Sequence, residues 1–468
     1  MGLYFYNSLT RQSEPFRAIE DSEVGMYTCG PTVYDFAHIG NLRAYVFEDL
    51  LRRTLKYRGY GIRQVMNLTD VDDKTICNSM QAGTSLRDFT QQYKDAFFQD
   101  LDTLNIERAE VYPEATEHVS QMIELVETLV EKGYAYATDD GCVYFSIAQY
   151  QEYGKLSGVD TSELQHGARV KHDEYAKESV ADFALWKAWE KSDGDVWWNS
   201  PWGPGRPGWH VECSAMSMEY LGKTFDIHTG GMDNVFPHHE DEIAQSEAAN
   251  ECRFVNYWLH CSHLIVEGKK MSKSLGNFYT LRDLLAAGYS GREVRWVLMG
   301  THYRQQLNFT FQGLQDARSA LQRIDDFVLR LQENAAEEVA MTDEVKAEIE
   351  RAEQAFCSAL EDDLNISRAI GVLFDLVREM NRIMDNAEIG QAVRKRTLDT
   401  LRTFDKVLGC LHIDGEQQIP QEVQRLVEER QEARKNKDFQ TADSIRDQMA
   451  AQGWIVEDTP SGPRVKPQ

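Results

Sequence analysis

Several things are scarce in this chain. Its 468 residues hold eight cysteines (29, 77, 142, 213, 252, 261, 357 and 410) with no CxxC pair, so a disulfide framework is not expected. No apolar run approaches the ~20 residues that a membrane span needs. The N-terminal stretch has no charged segment leading into an apolar one, and Tyr6 stands where a myristoylation signal wants Ser or Thr. No membrane partner is expected, and the expected location is the cytoplasm. Cations are in the minority: 50 Lys and Arg stand against 76 Asp and Glu, a net charge of −26. That balance weighs against a polyanion bound by overall charge. It leaves only local basic runs, Arg52, Arg53, Lys56, Arg58 and Arg63, and Arg434-Lys435-Asn436-Lys437, which read as solvated helix faces.

What is present starts with a βαβ pattern. Gly25-Met-Tyr-Thr-Cys-Gly30 is β-prone and runs into Gly-Pro. Beyond Asn41, the residues Val46, Phe47, Leu50, Leu51 and Leu55 recur at helical spacing until Arg58-Gly59. Ile62 to Leu68 is a second strand candidate. Such a unit implies a parallel sheet with its sites at the carboxyl ends of the strands. Residues 95–135 read as helical. Short β-like pieces with many Trp, Gly and Pro between Tyr134 and Pro207 read as an insertion. Residues 310–415 are nearly all helical in pattern, and the remainder reads as a small appended module.

Three features carry chemistry. His38-Ile39-Gly40-Asn41 sits where the first strand gives way to its helix. Free N–H groups and a partial positive charge at a helix N-terminus favour phosphate, His38 can donate to it, and Gly40 lets a flat base come close. Gly268-Lys-Lys-Met-Ser-Lys-Ser-Leu-Gly276 is a cationic loop whose Lys270 and Lys273 act as point charges on phosphates. Third, Cys29, Cys213 and His238-His239-Glu240-Asp241-Glu242 supply thiols, imidazoles and carboxylates. On a helix His238 and Glu242 share a face, as do His239 and Glu242, so either histidine can complete a tetrahedral zinc site.

The first two segments together resemble the two signatures of class I aminoacyl-tRNA synthetases, with Asn41 where the class usually has His. Thr28-Cys-Gly-Pro-Thr-Val-Tyr34, Arg206-Pro-Gly-Trp-His-Val-Glu-Cys213, Phe225-Asp-Ile-His-Thr-Gly-Gly-Met-Asp233 and Phe236-Pro-His-His-Glu240 are similar to the cysteinyl-tRNA synthetase family. The resemblance implies an α/β fold: a Rossmann-like parallel-sheet catalytic domain (1–133 and 208–265) with a connective insertion (134–207). A signature-loop and stem-contact region (266–312), a helical-bundle anticodon-binding domain (313–415) and a C-terminal tRNA-binding module (416–468) would follow. It implies zinc, one per chain, on Cys29, Cys213, His238 and Glu242. It implies ATP with magnesium on His38, Gly40, Asn41, Asp233, Lys270 and Lys273, and cysteinyl adenylate against Cys29, Asn67, Thr69, Trp209, Gly231 and Asp233. The implied partners are tRNA(Cys), L-cysteine and ATP, and the implied state is a monomer.

The chemistry suits that residue set. Cysteine's carboxylate is already a nucleophile toward the α-phosphate of ATP, so activation needs positioning and charge stabilisation rather than a general base. His38, Asn41, Lys270 and Lys273 are the catalytic candidates. A cysteine ligase acting on an amino sugar shares this activation chemistry but lacks a full anticodon-binding end. A zinc hydrolase built on His239-Glu240 needs a second histidine where Ile243 stands.

Overall fold

In the computed structural model, which describes residues 2–159, 182–333, 335–336, 339–414, 421–459 and 462–467, an antiparallel pair, β1 (Tyr4–Asn7) and β2 (Gln12–Pro15), precedes the catalytic sheet. β3 (Glu23–Thr28), α1 (Ile39–Tyr57) and β4 (Gly61–Met66) form the expected βαβ unit, with β3 and β4 parallel. β9 (Phe225–Gly231) and β10 (Val255–Cys261) complete a parallel sheet of order β10-β9-β3-β4. Val24, Met26, Tyr27, Val65 and Ile227 are fully buried in it, as a sheet covered on both faces requires. The strand ends at Thr28, Gly231 and Cys261 therefore open onto one rim.

The stretch 95–135 is not one helical run. α2 (Asp73–Ala82) and α3 (Leu86–Thr103) are followed by an extended segment before α4 (Val119–Glu131). Asn105 takes a left-handed conformation (φ 51°), and Val111 and Glu114 bridge to Val65 and Leu68, so these residues lengthen the sheet edge instead of continuing a helix.

Between α4 and α5 (Trp209–Leu221), β5 (Ala135–Ala137), β6 (Val143–Phe145), β7 (Phe183–Ala188) and β8 (Gly205–Pro207) make an antiparallel sheet. Phe145 and Phe183 stack at 5.0 Å within it. After α6 (Glu240–Asn250) and β10, a small sheet of β11 (Leu264–Val266), β12 (Lys269–Lys270) and β13 (Leu307–Phe309) surrounds α7 (Leu281–Ala286) and α8 (Gly291–Met299) in the chain order. Four amphipathic helices follow: α9 (Phe311–Glu333), α10 (Asp343–Glu361), α11 (Ile366–Asn386) and α12 (Gln391–Leu408). The chain forms two compact units, 1–411 and 412–468. The second holds α13 (Gln421–Lys435), α14 (Phe439–Ala451) and a strand pair, Trp454–Thr459 with Gly462–Pro467. The expected boundary at 415/416 lies outside the described residues.

One basic run is not the solvated face that its composition suggests. Arg52 and Arg53 are buried; Arg52 pairs with Glu107 (3.0 Å) and Glu110 (2.7 Å), and Arg53 with Asp49 (2.7 Å). Lys56 reaches Glu107 and Arg58 reaches Glu361. Arg295, also buried, binds Asp49 at 2.5 Å and donates to the carbonyls of Leu408 (2.7 Å) and Leu104 (3.1 Å). A buried guanidinium needs several acceptors to offset its lost hydration, and here they tie α1 to the end of α12. Among the described residues no helix is long and apolar enough to cross a membrane.

Candidate active site and metal centre

The rim gathers residues that are far apart in sequence. Cys29 follows the last residue of β3, α5 carries Cys213, and α6 carries Glu242. Before α6 the segment Val235–His239 is kinked, with Phe236 in extended conformation (φ −143°, ψ 131°). The kink turns both His238 and His239 inward, and both are buried. Two donor sets result, each with its ligand atoms within 4.8 Å of one another: Cys29, Cys213, His238 and Glu242, and Cys29, His228, His239 and Glu242.

Hydrogen bonding distinguishes the two. His228 Nε2 lies 2.9 Å from Glu242 Oε2. His239 lies 3.2 Å from Cys29 Sγ through Nε2, and its Nδ1 is 2.8 Å from His260 Nε2. His260 Nδ1 in turn lies 2.7 Å from Ser8 Oγ. His238 is anchored through Nδ1 on His210 (2.7 Å), which leaves Nε2 facing Glu242 Oε1 at 3.2 Å. Glu242 Oε1 is fully buried and makes no hydrogen bond to any described residue. An orphaned buried carboxylate oxygen is costly. Beside two thiols and a histidine held by its other nitrogen, it fits a cation ligand.

The electrostatics agree. Contact with Cys213, then burial, hold the Cys29 thiol well above its ordinary value. Contact with Cys29 pulls Cys213 down, but burial and Glu242 leave it raised. Burial lowers His238 to about 3, so its imidazole is neutral, the form that ligates metal. Both thiols are thus held toward their protonated form by burial and by the neighbouring Glu242 carboxylate, as expected of a donor set lacking a positive centre.

Beside this cluster Gly30 N–H donates to Asn67 Oδ1 (2.9 Å), Asn67 Nδ2 to Thr69 Oγ1 (3.0 Å), and Thr69 Oγ1 to Glu212 Oε2 (3.2 Å). A Cβ at Gly30 would fall 1.8 Å from the Asn67 carbonyl, so only glycine fits. Trp209 is 37% exposed and stacks on His238 with centroids 4.5 Å apart. Gly231 ends β9 at the same rim and Asp233 lies two residues beyond it; burial lowers the pKa of His38, and nearby Asp233 partly opposes this.

His38 caps α1: its Nδ1 accepts from Asn41 N–H, while Asn41 Oδ1 accepts from His38 N–H, each at 3.2 Å. The lysine loop meets this helix start directly. Ile39 N–H donates to the Tyr279 carbonyl (2.9 Å), and Met271 Cε lies 3.3 Å from where a Gly40 Cβ would stand. Lys273 Nζ is 2.6 Å from Asp35 Oδ2. Lys270 lies exposed in β12, its carbonyl accepting from Asn277 Nδ2 at 3.1 Å.

Cys29, Cys213, His238, Glu242, Asn67, Thr69, Trp209, Gly231 and Asp233 gather at the rim beside the start of α1. Lys273 reaches the loop before α1 through Asp35, whereas Lys270 contacts β11 and Asn277. His210, His228, His260, Glu212 and Glu48 were not among the candidates read from sequence. The two strand histidines had a signal, since each lies within three residues of the end of a strand reaching the rim. The others had none.

Residues 15–319 match the family model described as tRNA synthetases class I (C) catalytic domain. Residues 355–412 match the DALR domain, and 416–464 the cysteinyl-tRNA ligase anticodon binding domain. A cysteine--tRNA ligase of Brachyspira hyodysenteriae is 50% identical, covering 99% of this chain and 99% of its own length. That of Protochlamydia amoebophila is also 50% identical, over 100% of this chain and 98% of its own. A Mycobacterium tuberculosis methionyl-tRNA synthetase in complex with methionyl-adenylate shares the fold, with a TM-score of 0.61, 15% identity, and coverage of 83% and 89% of the two chains.

Proposed function

The chain belongs to the cysteine--tRNA ligase family of class I aminoacyl-tRNA synthetases, and from that premise we propose how its residues divide the work. It activates cysteine with ATP and passes the aminoacyl group to tRNA. Full-length matches that include an anticodon-binding domain give no support to an amino-sugar acceptor.

In the first step the cysteine carboxylate attacks the α-phosphate and pyrophosphate leaves. His38 and the start of α1 receive the phosphates, with Asn41 locking the cap. Lys270 and Lys273 neutralise the leaving pyrophosphate, and magnesium travels with the ATP. Gly40 and Asp233 bound the nucleoside. Asn67, Thr69, Gly231 and Trp209 hold the aminoacyl part, and the hydrogen-bonded chain from Gly30 to Glu212 supports that assignment by fixing Asn67 and Thr69. These groups orient reactants and stabilise charge, which is where most of such catalysis lies.

Cys29, Cys213, His238 and Glu242 hold zinc. Bound there, zinc would favour the ionised thiol of the substrate over the hard, weakly acidic hydroxyl of serine, a discrimination that pocket shape alone limits to about 10–200-fold. His239, His260 and Ser8 orient Cys29, and His210 orients His238. Glu242 Oε1, buried without a hydrogen bond and facing His238 Nε2 at 3.2 Å, is the observation that carries this reading. Metal analysis tests it: about one zinc per purified chain, and little in Cys213→Ser, supports it, whereas equal zinc in both proteins contradicts it.

The helices after Thr310 and the C-terminal module take the anticodon end of tRNA(Cys). We also infer a monomer, which the origin of every candidate ligand and both signature segments in a single chain supports, and a cytoplasmic location, which rests on the family alone.

A further inference from the structure

We propose that Asp35 is a positioning residue for Lys273, holding its ammonium between the two signature segments until the phosphates of ATP take it over. The inference rests on the reading above, in which Lys273 binds pyrophosphate.

Asp35 lies in the loop that joins β3 to α1, three residues before His38. Its carboxylate is oriented by its own loop, since Oδ1 accepts the Phe36 N–H at 2.8 Å, and Oδ2 meets Lys273 Nζ at 2.6 Å. Phe36 is itself fixed: Arg282 lies 4.5 Å over its ring, and Tyr93 packs on it edge-on at 5.4 Å. On the other side, Lys273 Nζ lies 5.1 Å from the centroid of Phe278, whose ring packs edge-on against His38 at 5.1 Å. Ser272 starts the short turn that carries Lys273, and its N–H donates to Asn277 Oδ1 at 2.9 Å. Carboxylate, ammonium, aromatic ring and the capping histidine of α1 thus form one row across the gap that the phosphates enter.

A 68%-exposed lysine on a loop would otherwise sample many rotamers. The Asp35 contact restricts it to the mouth of the site. An exposed pair of this kind is weak, so a polyphosphate of several negative charges can displace the carboxylate. Asp35 then does two things through Lys273. It presents the ammonium in position, and it makes any polyphosphate, including the product, compete for it.

The test is inhibition of the charging reaction by inorganic pyrophosphate, measured for wild type, Asp35→Asn, Lys273→Ala and the double variant, together with KM for ATP and kcat. Both side chains are partly exposed, so folding is retained. Expected are pyrophosphate inhibition strengthened about two- to fivefold in Asp35→Asn, the scale of an exposed pair, and no such change when the substitution is made in Lys273→Ala. Asp35→Glu should restore the wild-type constant. An Asp35→Asn effect of equal size in the Lys273→Ala background would overturn the proposal, because the carboxylate would then act on the anion directly. So would unchanged inhibition in Asp35→Asn. If Lys273→Ala itself altered neither pyrophosphate inhibition nor KM for ATP, the phosphate reading of Lys273 would fail first, and the proposal with it.

Discussion

His238 Nε2 and Glu242 Oε1 face each other at 3.2 Å across one turn, and the oxygen makes no hydrogen bond among the described residues. His239, next in sequence, instead points at Cys29 and leans on His260. On the proposed reading the adjacent histidines have different tasks, one as ligand and one as support. His238→Asn should lose its zinc on dialysis. His239→Asn should retain zinc with affinity weakened by about 10–100-fold, the usual cost of losing a supporting group. Competition titration with a chromogenic chelator measures both, and the reverse order would assign the site to the second donor set.

Glu48 gives a pH-dependent prediction. It is buried on α1 and accepts a hydrogen bond from Thr229 at 2.9 Å, and burial raises its pKa from 4.5 to about 8 despite that bond. Between those values the folded chain keeps a proton that the unfolded chain has released. The contribution is thus complete below the unfolded pKa and falls as pH rises through the folded one, by about 1.4 kcal/mol per pH unit. Glu48→Gln removes the titration. Urea denaturation at about pH 6 and about pH 8 should show wild type losing stability relative to the variant at the higher pH; a constant difference would refute the assignment.

Arg295 has a mechanical role. It bonds Asp49 and the Leu408 carbonyl, and Asp49 also holds Arg53. Arg295→Met leaves a buried carboxylate short of a partner, and a loss of about 3–5 kcal/mol is expected in denaturant unfolding. A loss below about 1 kcal/mol would mean that Arg53 alone satisfies Asp49.

The acidic chain must meet tRNA through local cations. Arg52 and Arg53 are occupied internally, and Arg434 is paired with Asp458, whereas Lys435 and Lys437 are exposed. Replacing both lysines with Ala should lower the slope of log affinity for tRNA against log salt by about 1.4–1.8, with pyrophosphate exchange unaffected. An unchanged slope would remove this module's lysines from the phosphate contacts.

The parallel sheet and the helix start at His38 were legible because apolar spacing and the Gly-Pro break are local signals. The choice between His238 and His239 was not. Ideal helical spacing aligns either with Glu242, but extended Phe236 interrupts the helix just before them, so their directions depend on the kink. The internal use of Arg52 and Arg53 was hidden for a related reason. Their partners Glu107, Glu110 and Asp49 include residues more than fifty positions away, and composition records charge without recording who neutralises it. His210 and Glu212 both lie just before Cys213 on α5, yet only tertiary packing shows that one contacts His238 and the other Thr69.

The most direct test is the ratio of kcat/KM for cysteine to that for serine in ATP–pyrophosphate exchange, measured before and after zinc is stripped and then restored. The account predicts that stripping collapses the preference toward the about 10–200-fold that shape can supply, through loss of cysteine use rather than of ATP binding, and that zinc restores it. A preference unchanged in protein verified to be zinc-free would show that Cys29, Cys213, His238 and Glu242 do not select the substrate through a metal.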